Sequence, residues 1–249
     1  MIYKDINCGY LRAPAPGLYA PLFEDMRGVL AENNIVAAAV YNYTRNGATI
    51  MDVANDTLAH CAGHDGLTPV INLMPPVFRE ESFTPDELTR LINERSPLFR
   101  IRPSVYAVSP SKWMYGELLE LLERSRSPLL VSVWELGGSF ETLAAMKAEY
   151  PELPLVLTNT DQWYNRQIIA FCKAFPNTYM DTTNLIEYEG VENYCELLGA
   201  EKLLFGSGMP YKEPYDKMLQ LMFAEISYNE RALIAYGNYD RLLAGRRTL

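Results

Sequence analysis

The chain has 249 residues, 49% of them hydrophobic and 21% charged, and a net charge of −9 at pH 7. That balance is ordinary for a globular protein, and its acidity argues against nucleic acid or an anionic membrane surface as the main partner, because both need basic patches. Four cysteines (Cys8, Cys61, Cys172 and Cys195) form no C-x-x-C pair, no run of about 18 apolar residues occurs, and the start MIYKDINCGYL lacks an export-signal pattern. The expectation is a cytoplasmic protein with reduced thiols.

Short apolar runs alternate with longer amphipathic ones along the chain. Ile2–Asn7 is short and half apolar, and Leu18–Glu32 has helical spacing. "IVAAAV" at Ile35–Val40 is a continuous apolar run, as expected of a strand buried on both faces. A helix over Thr49–Ala62 and a strand over Thr68–Leu73 follow, the strand stopped by Pro75 and Pro76. Thr84, then Pro85, Asp86 and Glu87, predicts a capped helix start, with the helix running to about Arg95. Strands are then predicted at Leu98–Arg102, Leu129–Val133, Pro154–Thr158, Thr178–Thr182 and Lys202–Phe205. Helices over Lys112–Arg124, Phe140–Tyr150, Gln162–Ala174 and Val191–Leu198 separate them, and further helical stretches fill Tyr215–Leu243.

Eight β-then-α units in order predict an α/β protein with a parallel sheet. In this length they fit one (β/α)8 TIM barrel spanning residues 1–249 as a single domain. An open doubly wound sheet is the alternative, but no G-x-G-x-x-G follows the first strand. A barrel's ligand site lies at the carboxyl ends of its strands. Those ends carry Asn7 and Tyr10, Tyr41 and Asn42, Asn72 and Met74, Arg102, Trp134 and Glu135, Asn159 and Asp161, Asp181, and Ser207 with Gly208.

The C-terminal third carries a resemblance. "NTYMDTTNLIEYEG", "LLGAEKLLFGSGMP" and "LIAYGNYDRLL" resemble the ending of the amidohydrolase-related (amidohydrolase 2) family, metal-dependent hydrolases of TIM-barrel fold. Gly199, Ala200, Glu201, Lys202, Phe205, Gly206, Ser207 and Pro210 fit its turn and last strand, and Gly237, Asn238, Arg241, Leu242 and Leu243 its closing segment. "KDINCG" is similar to the family's opening Asp-x-His-x-His, and "NDTLAH" to its second helix. The resemblance implies a hydrolase with a divalent metal at the barrel mouth.

The implied ligand positions depart from that pattern. The opening His-x-His falls on Asn7 and Gly9, the histidine after the sixth strand on Asn159, and the aspartate after the eighth on Gly208. No histidine stands near Ser132 to Trp134. Zinc wants imidazole, thiolate or carboxylate ligands, so the expectation is a divergent member without the metal ligands and with no cofactor. His60 and His64 are four apart at the end of the second helix, and surface positions far from the site are expected.

Without a metal, chemistry falls to protein acids and bases. Asp181 and Glu135 are the candidate catalytic pair, since two carboxylates facing one cavity can divide acid and base roles. Helix capping or an ion pair is the competing role, and capping is favoured for Asp161. Candidate substrate-binding residues are Asn7, Tyr10, Arg102, Trp134, Asn159, Asp161 and Ser207. Arg102 would be the anion clamp and Trp134 a pocket wall. One reading is a metal-independent hydrolase of a small polar or anionic substrate, of lactone or carboxylic acid type. Another is a barrel that keeps ligand binding or assembly without catalysis, and a third retains a metal through other ligands. The partner expected is a small molecule, with no nucleic acid and no membrane, and the resemblance leaves room for a homo-oligomer.

Overall fold

A computed structural model describes residues 1–44, 49–75, 77, 81–137 and 140–249. Eight strands form one sheet in the order β1 to β8, every neighbouring pair parallel: β1 Tyr3–Tyr10, β2 Ile35–Asn42, β3 Leu67–Asn72, β4 Leu98–Ile101, β5 Leu129–Ser132, β6 Leu155–Thr158, β7 Thr178–Asp181 and β8 Leu203–Leu204. The ends meet through backbone bonds from Ile6 N–H to the Phe205 carbonyl and from Gly208 N–H to the Asn7 carbonyl, both 2.9 Å. The architecture is the predicted (β/α)8 TIM barrel.

Helices α1 Phe23–Glu32, α2 Ile50–Ala62, α3 Pro85–Arg95, α4 Pro103–Tyr106, α5 Lys112–Ser125, α6 Glu141–Glu149, α7 Asn165–Ala174, α8 Gly190–Leu198, α9 Pro214–Phe223, α10 Tyr228–Ala232 and α11 Asn238–Ala244 complete the order. Local sequence sets several starts. Thr49 with Asp52, Thr84 with Glu87 and Ser227 with Glu230 form reciprocal capping boxes, each satisfying two otherwise orphaned amides. The short α4 and the 3-10 turn Val133–Leu136 are not foreseen from the sequence. Both sit directly after strands, at the mouth. Among the described residues, no helix is long and apolar enough to cross a membrane.

Two cores divide the apolar residues. The larger lies between sheet and helices. The smaller fills the barrel with Ile6, Ala39, Val70, Leu98, Leu130, Val156 and Leu204, stoppered by Tyr239 and Leu242 of α11. Side chains two apart on a strand share a face. The residues two steps beyond this apolar layer therefore face the mouth: Tyr41, Asn72, Arg100, Ser132 and Thr158, all buried. The barrel changes from hydrocarbon to polar within one layer.

Candidate functional site

The mouth holds a cavity of about 300 Å³, lined among the described residues by Tyr43, Arg100, Arg102, Ser132, Trp134, Glu135, Asn159, Thr183, Asn184, Gly208, Tyr211 and Lys212. Its charge is lopsided. Arg100, Arg102 and Lys212 face one carboxylate, Glu135, in a chain whose overall charge is −9. Low-dielectric walls around cations of one sign focus the field on an incoming anion.

The two arginines differ in their partners. Arg102 gives Nε and Nη2 to Glu135 Oε1, at 2.8 and 2.7 Å. Glu135 Oε2 is buried without a hydrogen-bond partner among the described residues. Arg100 is 2% exposed and meets no carboxylate within ion-pair distance among those residues. It donates from Nη1 to the Tyr43 hydroxyl and from Nη2 to Thr158 Oγ1, both at 3.1 Å, and lies 4.9 Å over the Tyr41 ring, while its Nε has no partner. Burial works against this cation, and Glu135 offsets part of that cost from beyond ion-pair distance; its planar fork of donors, without a direct ion pair, matches a carboxylate.

The other side of the mouth is closed on itself. Asp181, at the end of β7 and fully buried, accepts from Asn7 Nδ2 at 2.8 Å, Thr183 Oγ1 at 2.6 Å and the amides of Asn159 and Thr160 at 3.2 and 3.3 Å. Burial raises its carboxyl above the ordinary value, against the pull of these bonds from Thr183, Asn159, Asn7 and Thr160. Asn159 Nδ2 in turn donates to Ser132 Oγ at 3.0 Å.

The positions that the resemblance makes metal ligands do not fit a divalent ion. Asn7 Nδ2 sits among three oxygens, Asp181 Oδ2 at 2.8 Å, Thr183 Oγ1 at 3.1 Å and Asn159 Oδ1 at 3.2 Å. An amide nitrogen therefore occupies the centre of the oxygen cluster, and only one member of that cluster is a carboxylate. Zinc asks for imidazole, thiolate or carboxylate, and calcium for several converging carboxylates. Space has closed as well. A Cβ on Gly9 would stand 2.3 Å from the Tyr41 carbonyl and 2.5 Å from the Tyr43 ring. Gly208 has φ +79°, and a Cβ there would meet Thr183 Cγ2 at 2.5 Å. Among the described residues, no group of three His, Cys, Asp or Glu could hold a metal ion.

Four of the nine sequence candidates line the cavity and five do not. Arg102, Trp134, Glu135 and Asn159 line the cavity together. Asn7, Asp181 and Ser207 lie beneath it, outside its lining: Ser207 accepts from Met209 N–H at 3.2 Å, and its own amide donates to Asp5 at 3.0 Å. Asp161 accepts from Trp163 N–H at 2.9 Å and from the Trp134 indole, steadying the turn before α7. Tyr10 turns away from the cavity. Its hydroxyl donates to Asp56 of α2 at 2.8 Å, and its ring packs on Phe23 and His60. His60 is thus half-buried on that aromatic face and not a free surface residue, but it does stand apart from the cavity. Arg100, Tyr43, Asn184, Tyr211 and Lys212 are lining residues that the sequence reading misses. Parity was the available signal for Arg100, which stands two before Arg102 on the same strand face.

No protein-family model matches the sequence, and no curated protein matches it. Solved structures do match its fold, that of a single TIM barrel. An uncharacterized TIM-barrel protein from Bordetella bronchiseptica superposes with a TM-score of 0.74 at 18% identity, covering 97% of this chain and 99% of that one. A dihydroxybenzoic acid decarboxylase from a Polaromonas species, holding manganese and the inhibitor 2-nitroresorcinol, gives 0.75 at 12% identity, covering 98% and 97%. A 2,6-dihydroxybenzoate decarboxylase from Rhizobium gives 0.70 at 14% identity, covering 98% and 99%.

Proposed function

We propose that the mouth cavity binds a small carboxylic acid, or a lactone or ester bearing a carboxylate, through Arg100, and that Glu135 serves as its acid–base group. The buried guanidinium of Arg100 without a carboxylate partner carries this reading. A ligand carboxylate would supply a direct ion pair, which Glu135 gives to Arg102 instead. Tyr43, Trp134 and Tyr211 suit a flat, aromatic ligand body. The decarboxylases of similar fold, one of them captured with 2,6-dihydroxybenzoate, support a carboxylate ligand for this chain as well.

Glu135 suits the proton-transfer role better than Asp181. Its Oε1 is fixed by Arg102, and its Oε2 has no partner among the described residues. Asp181 has its lone pairs filled by protein donors and lies outside the lining, so it is a positioning residue. In hydrolysis Glu135 would take a proton as water attacks the ligand carbonyl and return it to the leaving oxygen. The residues at the family's ligand positions do not suit a metal, and this route uses none.

One observation favours a second reading, ligand binding without turnover. Glu135 is the only carboxylate in the described lining, no histidine joins it, and it is tied to Arg102. Calorimetry with benzoate, hydroxybenzoates and carboxylated lactones tests binding, and product analysis tests turnover. Arg100→Met should weaken carboxylate binding by about 10²-fold, the scale of a lost charge-assisted fork. Glu135→Gln should lower any turnover by about 10²–10⁴-fold. Unchanged carboxylate affinity in Arg100→Met would end the proposal. Tight binding without product, in the wild type, would leave the second reading.

A further inference from the structure

We infer that a side cavity ending at Asn72 is a second subsite of the mouth, suited to a neutral carboxamide-type group on the ligand that Arg100 anchors. It rests on the carboxylate reading above only in joining the two groups in one molecule.

Asn72 closes β3 and faces inward, two residues beyond Val70 of the barrel core. It is 5% exposed, and neither its Nδ2 nor its Oδ1 has a hydrogen-bond partner among the described residues. Buried amides nearly always find partners, and each unpaired group costs stability. This one lines a cavity of about 130 Å³ with Tyr41, Thr44, Val53, Val105 and Tyr106. Arg102 lines both this cavity and the larger one, so the two are neighbours across the Arg102–Glu135 pair.

The chemistry selects the group. A carboxylate would accept from Nδ2 but repel Oδ1, and an ammonium would do the reverse beside a guanidinium. The Arg102 charge is already answered by Glu135 Oε1. A neutral fork that donates once and accepts once satisfies both amide atoms, as in a carboxamide or the edge of a cyclic amide. Ile50, Val53 and Val105 give it apolar walls. The ligand so defined is a carboxylic acid with a second, uncharged amide-like arm.

Benzoate, benzamide and the isomeric carbamoylbenzoates, titrated by calorimetry into wild type, Asn72→Leu and Arg100→Met, test this. At least one carbamoylbenzoate should bind wild type tenfold or more tighter than benzoate. Asn72→Leu should erase that gain and leave benzoate unchanged, whereas Arg100→Met should weaken benzoate and its carbamoyl derivatives together. Asn72→Leu should also melt at a higher temperature, since it removes an unpaired buried amide, and Asn72→Ser serves as a second variant should leucine disturb the fold. The subsite is overturned if no isomer outbinds benzoate or if the gain survives in both Asn72 variants. Benzamide binding that depends on Asn72, with no benzoate binding, would sink the carboxylate reading and keep the subsite.

Discussion

At the β6, β7, β8 and β1 side of the mouth, most polar groups are spent on one another, although Asp5 Oδ2 and Asn184 Nδ2 lack partners among the described residues. Asp181 takes bonds from Asn7, Thr183, Asn159 and Thr160, and Asn159 reaches on to Ser132. At the β3 and β4 side, Arg100 Nε, both polar atoms of Asn72 and, just beyond β5, Glu135 Oε2 lack partners among the described residues. A saturated network rigidifies, while an unsaturated one carries a cost that a ligand can relieve. Of the positions that the family resemblance marks for chemistry, Asn7 and Gly9 lie outside the cavity lining, whereas Asn159 and Gly208 belong to it.

The largest effect should come from splitting the one ion pair that bridges into the unsaturated side. Arg102→Met leaves Glu135 charged and unpaired in a buried place, and stability should fall by about 3–5 kcal/mol in urea unfolding. Adding Glu135→Leu should recover most of that loss. If the double variant is as unstable as the single one, the cost lies in Arg102 packing and not in the orphaned charge.

A pH dependence comes next, and it belongs to the floor of the saturated side. Burial raises the Asp5 carboxyl to about 6, despite the opposing bonds from Ser207 and Asn7 and with a smaller upward push from Asp181. The folded state therefore holds this proton more tightly than the unfolded chain does. Its contribution is fully present below about pH 4 and is lost as pH rises through 6, a fall of up to about 3 kcal/mol. Asp5→Asn keeps an oxygen for the Asn7 and Ser207 amides, so its stability should fall less across that window. Parallel wild-type and variant profiles between pH 4 and 7 would contradict this.

Asp181→Asn tests saturation itself, with a smaller expected loss of about 2 kcal/mol. The new amide nitrogen would confront donors from Asn7, Thr183 or the Asn159 and Thr160 amides, while one oxygen keeps its bonds. Because Asp181 lies outside the cavity lining, carboxylate affinity should change by less than about threefold, well under one hydrogen bond's worth. A larger loss of binding at intact stability would return Asp181 to the list of groups that touch ligand.

Much of this comparison was legible in the sequence, and its decisive half was not. Strict alternation gave the barrel. Thr84 with Pro85 and Glu87 gave a helix start that the structure closes as a capping box. Asn7, Gly9, Asn159 and Gly208 at the strand ends showed that the family's ligand types were missing. Arg100 stays hidden because it lies inside the apolar run "LFRI" and not at the strand end, so that only its parity with Arg102 points to it. Arg102 is easier to place, because Pro103 follows it and marks a strand end. Partner choice separates the two arginines, and that depends on the 3-10 turn Val133–Leu136, which brings Glu135 to Arg102 and not to Arg100. Tyr10 misled for a related reason: the strand end is at the mouth, but its side chain belongs to the outer face, against α2.

The smallest stability effect should be the most informative. Arg100→Met removes hydrogen bonds to two hydroxyls, Tyr43 and Thr158, and a stacking contact over Tyr41. Those contacts contribute roughly 0.5–1.5 kcal/mol each. The same change removes a buried charge that has no direct ion pair among the described residues and only Glu135 acting on it from farther away, and methionine refills most of the volume. The terms oppose, so stability without ligand should stay within about 1 kcal/mol of wild type. Arg102→Met, two residues along the same strand face, should cost several times more. Equal losses for the two would mean that Arg100 is a structural prop like its neighbour, and that the unpaired side of the mouth is not poised for an anion.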